Sequence, residues 1–343
     1  MSDRQPLVSV IVPNYNYAKS LGLCLEAIQR QDYPALEIVL IDDCSTDDSV
    51  SVAAGLGIRA ISTGTNGGVS VARNLGAAHA RGEILLFVDS DVALAPDAVS
   101  QSVRLLRADP GLGAVCGIYD PDPLIRDSRI EEYRCLQQYY ALVSSEGRIS
   151  TVHTNTFAIR ADVFAELGGF NPLLRHTEDQ DFGLRLAMRY GALSTSDVVG
   201  RHDNDDTLRL VLRKVYQRIY LAMPLYLRRR GLPGGYASGP RAWASAVCLL
   251  AVAATLLPLL LGAAWAVAPL LLLGAGLACD SGLYRCVVRH KGWGFLPYFM
   301  AVNVLVNLTV GVGVLAGGLR CVVSRRFREV YDAALGSGVT ASA

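Results

Sequence analysis

The stretch Glu83-Ile84-Leu85-Leu86-Phe87-Val88-Asp89-Ser90-Asp91 is an apolar run that ends in two carboxylates. Such a run is typical of a buried strand in a parallel sheet, and ligands of α/β folds bind at the carboxyl ends of these strands. Carboxylates one residue apart can share a hard divalent cation with phosphate oxygens, because Mg²⁺ favours this ligand set. Asp and Ser are also ordinary turn and N-cap residues. The stretch therefore predicts a strand end that holds either a metal and a nucleotide or a simple capped turn.

Strands and helices alternate along the first part of the chain. The predicted elements are a strand at 7–12, a helix at 20–31, a strand at 37–41, a helix at 68–80 and a strand at 83–88. Repeated βα units predict an α/β fold with a doubly wound, mostly parallel sheet. The first strand leads into Pro13-Asn14-Tyr15-Asn16 without a GxGxxG motif, which disfavours a dinucleotide-binding domain.

The apolar residues concentrate near the C-terminus. Of the 343 residues, 51% are hydrophobic and 18% are charged, and none is charged from Ala242 to Cys279. As one helix this stretch would measure about 57 Å, roughly twice a hydrocarbon core. We therefore predict two spans, the first from Trp243 to Trp265 with a turn near Gly262, and a third span over Phe295–Leu319. Buried helices of a soluble domain are the alternative, but such helices are seldom apolar all round for this length.

Basic residues follow the second and third predicted spans. The two clusters are Arg285, Arg289 and Lys291, and Arg320, Arg325, Arg326 and Arg328. Both prefer the cytoplasm, yet three full spans would place them on opposite sides. One segment is thus expected to be interfacial or re-entrant, and Phe295–Leu319, which contains Asn303 and Asn307, is the candidate. The N-terminus shows no signal-peptide pattern, so we predict a multi-pass membrane protein with a cytoplasmic catalytic domain.

A basic amphipathic helix is predicted just ahead of the spans. Arg209, Arg213, Lys214 and Arg218 alternate with apolar residues there, and Arg228, Arg229 and Arg230 follow. This pattern indicates a helix on an anionic lipid surface, with a solvated helix face as the alternative. The first 240 residues are mildly acidic, which argues against nucleic-acid binding. The eight cysteines show no metal-binding spacing and are expected to be reduced packing residues.

Five ordered motifs carry a family resemblance. They are VSVIVPNYN at 8–16, IVLIDDCSTDDS at 38–49, NGGVSVARNLG at 66–76, ILLFVDSD at 84–91 and HTEDQDFGLRL at 176–186. Together they resemble the family 2 glycosyltransferases with a GT-A fold, and the resemblance covers about residues 5–205. It implies inverting transfer of a sugar from a nucleotide-sugar donor, assisted by Mg²⁺ or Mn²⁺.

The resemblance assigns donor-binding residues position by position. Pro13, Tyr15 and Asp43 resemble the nucleotide pocket, where a carboxylate can accept from the N–H of a uracil-like base, so a UDP-sugar is favoured. Asp42 and Asp43 could instead cap the following turn through Ser45 and Thr46. The resemblance also implies that Asn66-Gly67-Gly68 and Arg73 approach the donor diphosphate, because glycine permits close backbone approach and a helix start favours anions. A tight loop is the alternative for the two glycines.

Asp89 and Asp91 resemble the DxD pair of the family, with Asp91 as the direct metal ligand and Asp89 shared between ribose and metal. Ser90 between them is counted with the donor site. His202 resembles a late metal-binding histidine, since neutral imidazole can complete a coordination sphere, although a lone histidine is often structural.

Glu178 and Asp179 resemble the catalytic carboxylate pair of the family, with Asp179 as general base. A base must lie within hydrogen-bond reach of the acceptor hydroxyl. The same residues also suit a helix N-terminus capped by Thr177, and both interpretations can hold together. His153 and Asn155 are candidates for contacts with sugar hydroxyls or for packing. No QxxRW motif follows the base, which disfavours a processive polysaccharide synthase.

The sequence thus predicts a membrane-anchored inverting glycosyltransferase acting on a lipid-linked or glycan acceptor at the cytoplasmic face. The predicted divisions are a catalytic domain at 1–205, an interface helix and linker at 206–240, a transmembrane region at 241–320 and a tail at 321–343. A sugar nucleotidyltransferase of related fold and a non-catalytic membrane scaffold are the alternatives. The first would release pyrophosphate, and the second would be expected to have lost Asp91 or Asp179.

Overall fold

The computed structural model describes residues 4–150, 152–174, 177–229 and 240–329. These residues form two compact units. The sheet unit contains the described residues up to 127 together with 141–204, and the helical unit contains 128–140 and the described residues from 205 onward. Residues 128–140 belong to the catalytic domain predicted at 1–205, whereas the fold assigns them to the helical unit. Arg230, part of the predicted linker and residues 330–343 of the predicted tail lie outside the described residues.

The sheet unit is built on nine strands among its described residues. The strands are β1 Val8–Asn14, β2 Leu36–Asp42, β3 Ile61–Ser62, β4 Ile84–Val88, β5 Val92–Leu94, β6 Leu112–Tyr119, β7 Gly147–Ile149, β8 Thr156–Arg160 and β9 Gly191–His202. Every residue of β1, β4 and β6 is buried. Because strands covered on both faces read as continuous apolar runs, the predicted strands fall on observed ones.

The sheet is mixed, with the order β3-β2-β1-β4-β8-β6-β9-β5 and β7 beside β9. The strands β1 to β4 are parallel, as the sequence predicted. In contrast, β8 runs antiparallel to both β4 and β6, and β5 and β7 run antiparallel to β9. The predicted α/β class with a mostly parallel sheet is therefore confirmed. The sheet also contains antiparallel pairs, which the sequence did not predict. The reversed strand β8 lies in the centre and borders the end of β4.

Helices of the sheet unit pack against this sheet. They are α1 Ala18–Gln29, α2 Ser49–Gly55, α3 Val69–His79, α4 Ala98–Ala108, α6 Ala161–Glu166 and α7 Glu178–Ala187. One core cluster contains five phenylalanine rings in mutual contact, namely Phe87, Phe157, Phe164, Phe170 and Phe182. These rings come from β4, β8, α6, α7 and the loop before α7, so they fix the elements that carry the polar edge of the sheet.

The eight cysteines are free thiols. Burial raises the pKa of Cys116 to about 12, so this thiol stays protonated near neutral pH. The prediction of reduced packing residues agrees with this arrangement.

The helical unit contains the following elements after α5 Arg129–Val143, most of which belongs to it. They are α8 Leu208–Arg229, α9 Pro240–Ala254, α10 Leu257–Leu261, a 3-10 turn Ala263–Ala266, α11 Val267–Cys279, α12 Ser281–Lys291, α13 Leu296–Val323 and α14 Arg325–Arg328. The predicted amphipathic segment is thus helical, with Pro224 inside it.

The predicted spans differ from the observed helices. The segment from Trp243 to Trp265 is not one helix, because α9 ends at Ala254 and Gly262 adopts a φ of 98° before the next turn. By length and composition, α13 alone among the described helices could cross a membrane, or two spans exist if the bent pair Ala263–Cys279 and Ser281–Lys291 counts as one. The candidate for a re-entrant segment, Phe295–Leu319, therefore lies largely within the longest continuous helix, and the breaks occur earlier in the chain.

Glycines let α13 approach its neighbours closely. A Cβ at Gly313 would lie 3.2 Å from Ile219, and one at Gly317 would lie 2.6 Å from Met223 of α8. The earlier glycine faces the earlier residue of α8, and four residues later along both helices the second glycine faces Met223. The helices α8 and α13 therefore run side by side in the same direction. Small residues permit this packing between apolar helices, where backbone contact replaces bulky side chains.

Candidate active site

The carboxylates of the DSD segment lie in a tight turn between β4 and β5. The N–H of Val92 donates to the carbonyl of Asp89 over 3.0 Å and closes this turn. Ser90 is buried, and the Asp89 side chain is partly buried, with 31% of its surface exposed. The turn thus exists, and it presents acidic oxygens at the carboxyl end of β4 as the sequence predicted for a parallel strand.

His202 lies beside Asp91 at the end of β9. Val92 and His202 are paired in the antiparallel ladder of β5 and β9, which brings His202 Nε2 to 3.3 Å from Asp91 Oδ2. The ring of Tyr119 stacks on the imidazole with centroids 4.6 Å apart. Carboxylate oxygen and imidazole nitrogen are ligands that Mn²⁺ accepts, and carboxylates also suit Mg²⁺. Asp91 and His202 therefore bring together two ligand types that a divalent cation accepts.

Arg73 on α3 joins the DSD turn to the start of α7. Its Nη2 donates to Asp89 Oδ1 over 2.7 Å, and its Nη1 donates to Glu178 Oε1 over 3.2 Å. Its side chain is only 3% exposed and packs over the ring of Phe170. Burial alone would lower the pKa of Arg73, but the carboxylates of Asp89 and Glu178 outweigh that effect and raise it. The guanidinium is therefore a fixed positive charge between two segments far apart in the sequence.

The electrostatics of Asp89 favour a cation. Burial is the main cause that raises the pKa of its carboxyl group, and the neighbouring Asp91 carboxylate raises it further. Arg73 acts in the opposite direction without reversing the shift. Because a bound cation favours the ionised form, this cluster gains stability from added positive charge.

The two candidate catalytic carboxylates differ in their surroundings. Glu178 and Asp179 are the first two residues of α7, where the helix dipole favours negative charge. Glu178 is buried against Arg73, while Asp179 is half-buried and its Oδ1 accepts from the N–H of Gln180 over 2.7 Å. Thr177 precedes the helix without the capping side-chain hydrogen bond that the sequence suggested.

Asp43 holds a glycine turn. Its carboxylate accepts from the N–H groups of Gly67 and Gly68 over 2.9 and 2.8 Å and from the Thr63 hydroxyl over 2.8 Å, while the Asn66 side chain donates to its carbonyl. In this structure the two glycine N–H groups donate to Asp43, and the approach of this segment to a diphosphate stays a prediction. Gly68 has a φ of 86°, a conformation that favours glycine at this helix start.

Asp42 caps the turn that follows β2, which is the alternative role that the sequence offered for Asp42 and Asp43. This buried carboxylate accepts from the N–H of Ser45 over 3.0 Å, from its hydroxyl over 2.5 Å and from Asn14 Nδ2 over 3.0 Å. The carboxyl ends of β1 and β2 are thereby tied to each other and to the loop that follows β2. Pro13 is buried in β1, and Tyr15 in the braced loop is 45% exposed.

Sequence reasoning missed several residues that position this edge. Asn16 has a φ of 59°, and its Oδ1 accepts from the N–H of Thr46 over 2.7 Å. Asn74 exchanges two hydrogen bonds with the backbone of Phe170, of 2.7 and 2.9 Å, and so ties α3 to the loop before α7. Asn at a left-handed position such as Asn16 is a signal for such side-chain-to-backbone bonds, although the partner residue cannot be read from it. Asn74 lies within α3, so its residue type gives no such signal.

His153 and Asn155 lie just before β8. Burial lowers the pKa of His153 to about 4, so its imidazole is neutral near pH 7. The carbonyl of Asn155 accepts from the N–H of Asp89 over 3.3 Å, and among the described residues its buried Nδ2 has no hydrogen-bond partner. An unpaired buried amide suits a ligand hydroxyl, because an unsatisfied donor is costly.

The sheet order, the DSD turn and the acidic start of α7 define a GT-A type α/β domain. Residues 9–168 match the family described as Glycosyl transferase family 2, so the chain carries a glycosyltransferase family 2 domain.

Curated relatives and a solved structure agree with this family. An uncharacterized glycosyltransferase of Haemophilus influenzae is 27% identical over 186 residues, covering 52% of this chain and 62% of that protein. Glycosyltransferase GlyG of Streptococcus pneumoniae is 40% identical over 90 residues, covering 25% and 30%. The mannosyltransferase PcManGT of Pyrobaculum calidifontis, solved with GDP-Man and Mn²⁺, superposes with a TM-score of 0.56 at 21% identity, covering 94% of this chain and 89% of that one. The chain thus covers less than two thirds of these curated relatives, and the solved structure supports the fold.

Proposed function

We propose that this protein is an inverting glycosyltransferase that moves a sugar from a nucleotide-sugar donor to an acceptor hydroxyl, assisted by Mg²⁺ or Mn²⁺. The observation that carries this proposal is the double hydrogen bond of Arg73 to Asp89 and Glu178. It joins a candidate metal and diphosphate site to a helix start that offers a candidate base. Both halves of a sugar transfer are therefore supplied by neighbouring segments.

The donor is proposed to bind at the carboxyl ends of β1, β2 and β4. The exposed ring of Tyr15 can cover the face of a base, and Pro13 shapes the loop beneath it. Asp43 already accepts three hydrogen bonds of about four that a carboxylate can accept, so its remaining oxygen lone pair can meet a base N–H. A UDP-sugar is the first donor to test for this reason.

Asp89, Asp91 and His202 are proposed to hold the cation. Asp89 Oδ1 is engaged by Arg73, which leaves its second oxygen for metal or ribose, while Asp91 and His202 face each other. A cation bound there would supply positive charge to the oxygens of the diphosphate. Arg73 adds a second positive charge at the same edge and stabilises the leaving group as its charge develops.

Asp179 is proposed as the general base. Glu178 is neutralised by Arg73 and buried, so it is better suited to position α7 than to accept a proton. Asp179 follows it on the more exposed side of the helix start and can take the proton of the acceptor hydroxyl. Attack from the side opposite the departing diphosphate forms the new glycosidic bond as the old one breaks, which inverts the anomeric centre.

We further propose that the helical unit anchors the enzyme at the cytoplasmic face of a membrane and that the acceptor is lipid-linked. The apolar helix α13 and the basic helix α8 support this part of the proposal. If purified enzyme transfers sugar equally well to soluble glycans and to lipid-linked acceptors, the acceptor assignment is wrong.

The test of the reaction is a panel of UDP- and GDP-sugars given to membranes with wild type, Asp91→Ala, Asp179→Asn and Glu83→Gln. Glu83 lies just before β4, at the end of the strand away from Asp91, and its side chain is exposed. Glu83→Gln is therefore the matched control. We expect Asp91→Ala to weaken metal-dependent donor binding and Asp179→Asn to keep donor binding but lose transfer. Turnover by Asp179→Asn equal to that of wild type would remove the base assignment, and release of pyrophosphate would favour a nucleotidyltransferase.

A further inference from the structure

The helical unit contains an apolar hairpin whose tip is exposed. Its arms are α9 and α11, and residues 255–266 connect them. Large apolar side chains at the tip face outward, namely Leu256, Leu259, Leu260, Leu261 and Trp265. Leu259 is 82% exposed. Soluble surfaces rarely expose a contiguous apolar patch of this kind, so the tip requires an apolar environment.

The arms of the hairpin pack together but are short. A Cβ on Gly276 of α11 would lie 3.1 Å from the Cys248 sulfur of α9, which shows direct contact between the arms. The arms contain 15 and 13 residues, and at 1.5 Å per residue they measure about 22 and 20 Å. A hydrocarbon core is about 30 Å thick, so neither arm is long enough to cross it.

A buried polar cluster closes the base of the hairpin. Asp280 follows α11 directly, and its Oδ2 accepts from Asn303 and Asn307 of α13 over 2.7 and 3.1 Å. Ser245 near the start of α9 donates to Asn307 Oδ1 over 3.0 Å. Both arms are therefore fastened to α13 at the same polar level, and the tip extends from that level by about the length of one arm.

The helix that follows the hairpin turns away sharply. The axis bends by 66° between the segment ending at Cys279 and α12. Leu283 and Val287 form the buried side of α12, while Arg285 and Arg289 are exposed. A short basic amphipathic helix at the foot of an apolar hairpin suits an anionic headgroup layer, because the charges can stay hydrated beside phosphates.

We infer that the hairpin of α9 and α11 enters the hydrocarbon of one leaflet and returns to the same side, with α12 lying on that side. The occupant of the exposed tip is thus the acyl chains of a single leaflet. The inference rests on the membrane association in the proposed function and deepens it. It replaces the two spans predicted for this segment, because Trp265 then lies deep and not at the far interface.

The three tryptophans of the chain, Trp243, Trp265 and Trp293, report depth directly. Each would be kept in turn while the other two become Phe, in the full chain reconstituted in phosphatidylcholine and phosphatidylglycerol vesicles. The quenchers are lipids brominated near the headgroup or near the chain end. We expect Trp265 to lose more emission to the deep bromines, and Trp243 and Trp293 to lose more to the shallow ones.

Two results would overturn the inference. Stronger or equal quenching of Trp265 by shallow bromines would place it at an interface, as a crossing helix requires. Quenching of Trp265 by aqueous acrylamide with no effect of any bromolipid would place the tip in water. Loss of sugar transfer with the expected quenching pattern would refute the proposed reaction alone, so the two proposals fail separately.

Vesicle flotation gives an independent measurement. Leu259→Lys puts a charge at the tip, while Met188→Lys puts the same charge at a 77% exposed apolar residue of the sheet unit. We expect Leu259→Lys to reduce the fraction of protein that floats with vesicles and Met188→Lys to leave it unchanged. Equal flotation of the two variants would contradict insertion of the tip.

Discussion

Replacing Asp43 by Asn separates two roles for this carboxylate, recognition of a base and support of the Gly67-Gly68 turn. The native side chain accepts three hydrogen bonds, two from glycine N–H groups and one from Thr63. An asparagine keeps one acceptor oxygen, but its amide NH₂ then faces an N–H donor. The turn therefore loses its charge-assisted bonds and leaves a buried donor unpaired.

The expected cost follows from these contacts. A hydrogen bond to a charged group contributes about 1.5–3 kcal/mol, and an unsatisfied buried donor costs about 1–3 kcal/mol. Because such terms are not additive, we expect Asp43→Asn to lower the free energy of unfolding by about 3 kcal/mol. For a domain of this size that corresponds to a fall in Tm of roughly 6–12 °C. Thr63→Val removes one of the three bonds and should cost about 1 kcal/mol.

The assay is thermal unfolding of the detergent-purified chain, followed by titration with uridine and guanosine diphosphates. Asp48→Asn is the control, since Asp48 is exposed and caps no helix through its side chain. Support of the turn predicts that Asp43→Asn lowers the Tm, and the base contact proposed above predicts in addition a greater loss of uridine diphosphate binding than of guanosine diphosphate binding. An unchanged Tm with selective loss of uridine diphosphate binding would refute this reasoning and restore base recognition as the main role of Asp43.

Two further outcomes test the packing and the pH response. Gly317→Ala should destabilise the protein by about 1–3 kcal/mol in thermal unfolding, because its Cβ would lie 2.6 Å from Met223 and 2.9 Å from the Tyr220 carbonyl, whereas Gly318→Ala meets open space and should be neutral or stabilising. Since burial lowers the pKa of His153 to about 4, protonation favours the unfolded chain; the stability that this group contributes is complete above about pH 6.5 and is lost as pH falls toward 4. His153→Gln should therefore show a smaller loss of Tm between pH 7 and pH 5 than wild type, and an equal loss would contradict the burial of a neutral imidazole.

The strands β1 and β4 could be predicted because every residue of each is buried and the apolar runs are continuous, whereas the two-residue edge strand β3 was not predicted. Continuous apolar runs that end in Asp42 and Asp89 mark both the strands and their functional ends. The direction of β8 could not be predicted, since Thr156–Arg160 reads as a strand in either orientation. Its reversal depends on which edges of β4 and β6 remain to be paired, and this is a property of the whole sheet.

The apolar region near the C-terminus shows a different limit. Hydropathy identified the apolar segment correctly, but the continuity of a helix depends on single backbone conformations such as that of Gly262. The same holds for Asp43, because the pattern indicated a carboxylate at a strand end but not its partners 24 and 25 residues away. Patterns of residue type thus predict where polar groups gather, while their pairing requires the tertiary fold.

The charges at the candidate active site argue that cation and donor bind together. Asp89, Asp91, Glu178 and Asp179 carry a formal charge of minus four when ionised, and Arg73 offsets one unit while fixing two of the four carboxylates in place. A nucleoside diphosphate brings further negative charge to the same edge, so repulsion opposes its approach. Burial is the main cause that raises the pKa of Asp89, and the neighbouring Asp91 carboxylate adds to the rise. A divalent cation held by Asp91 and His202 would relieve both repulsions, so we expect chelation to weaken donor binding and not only the chemical step.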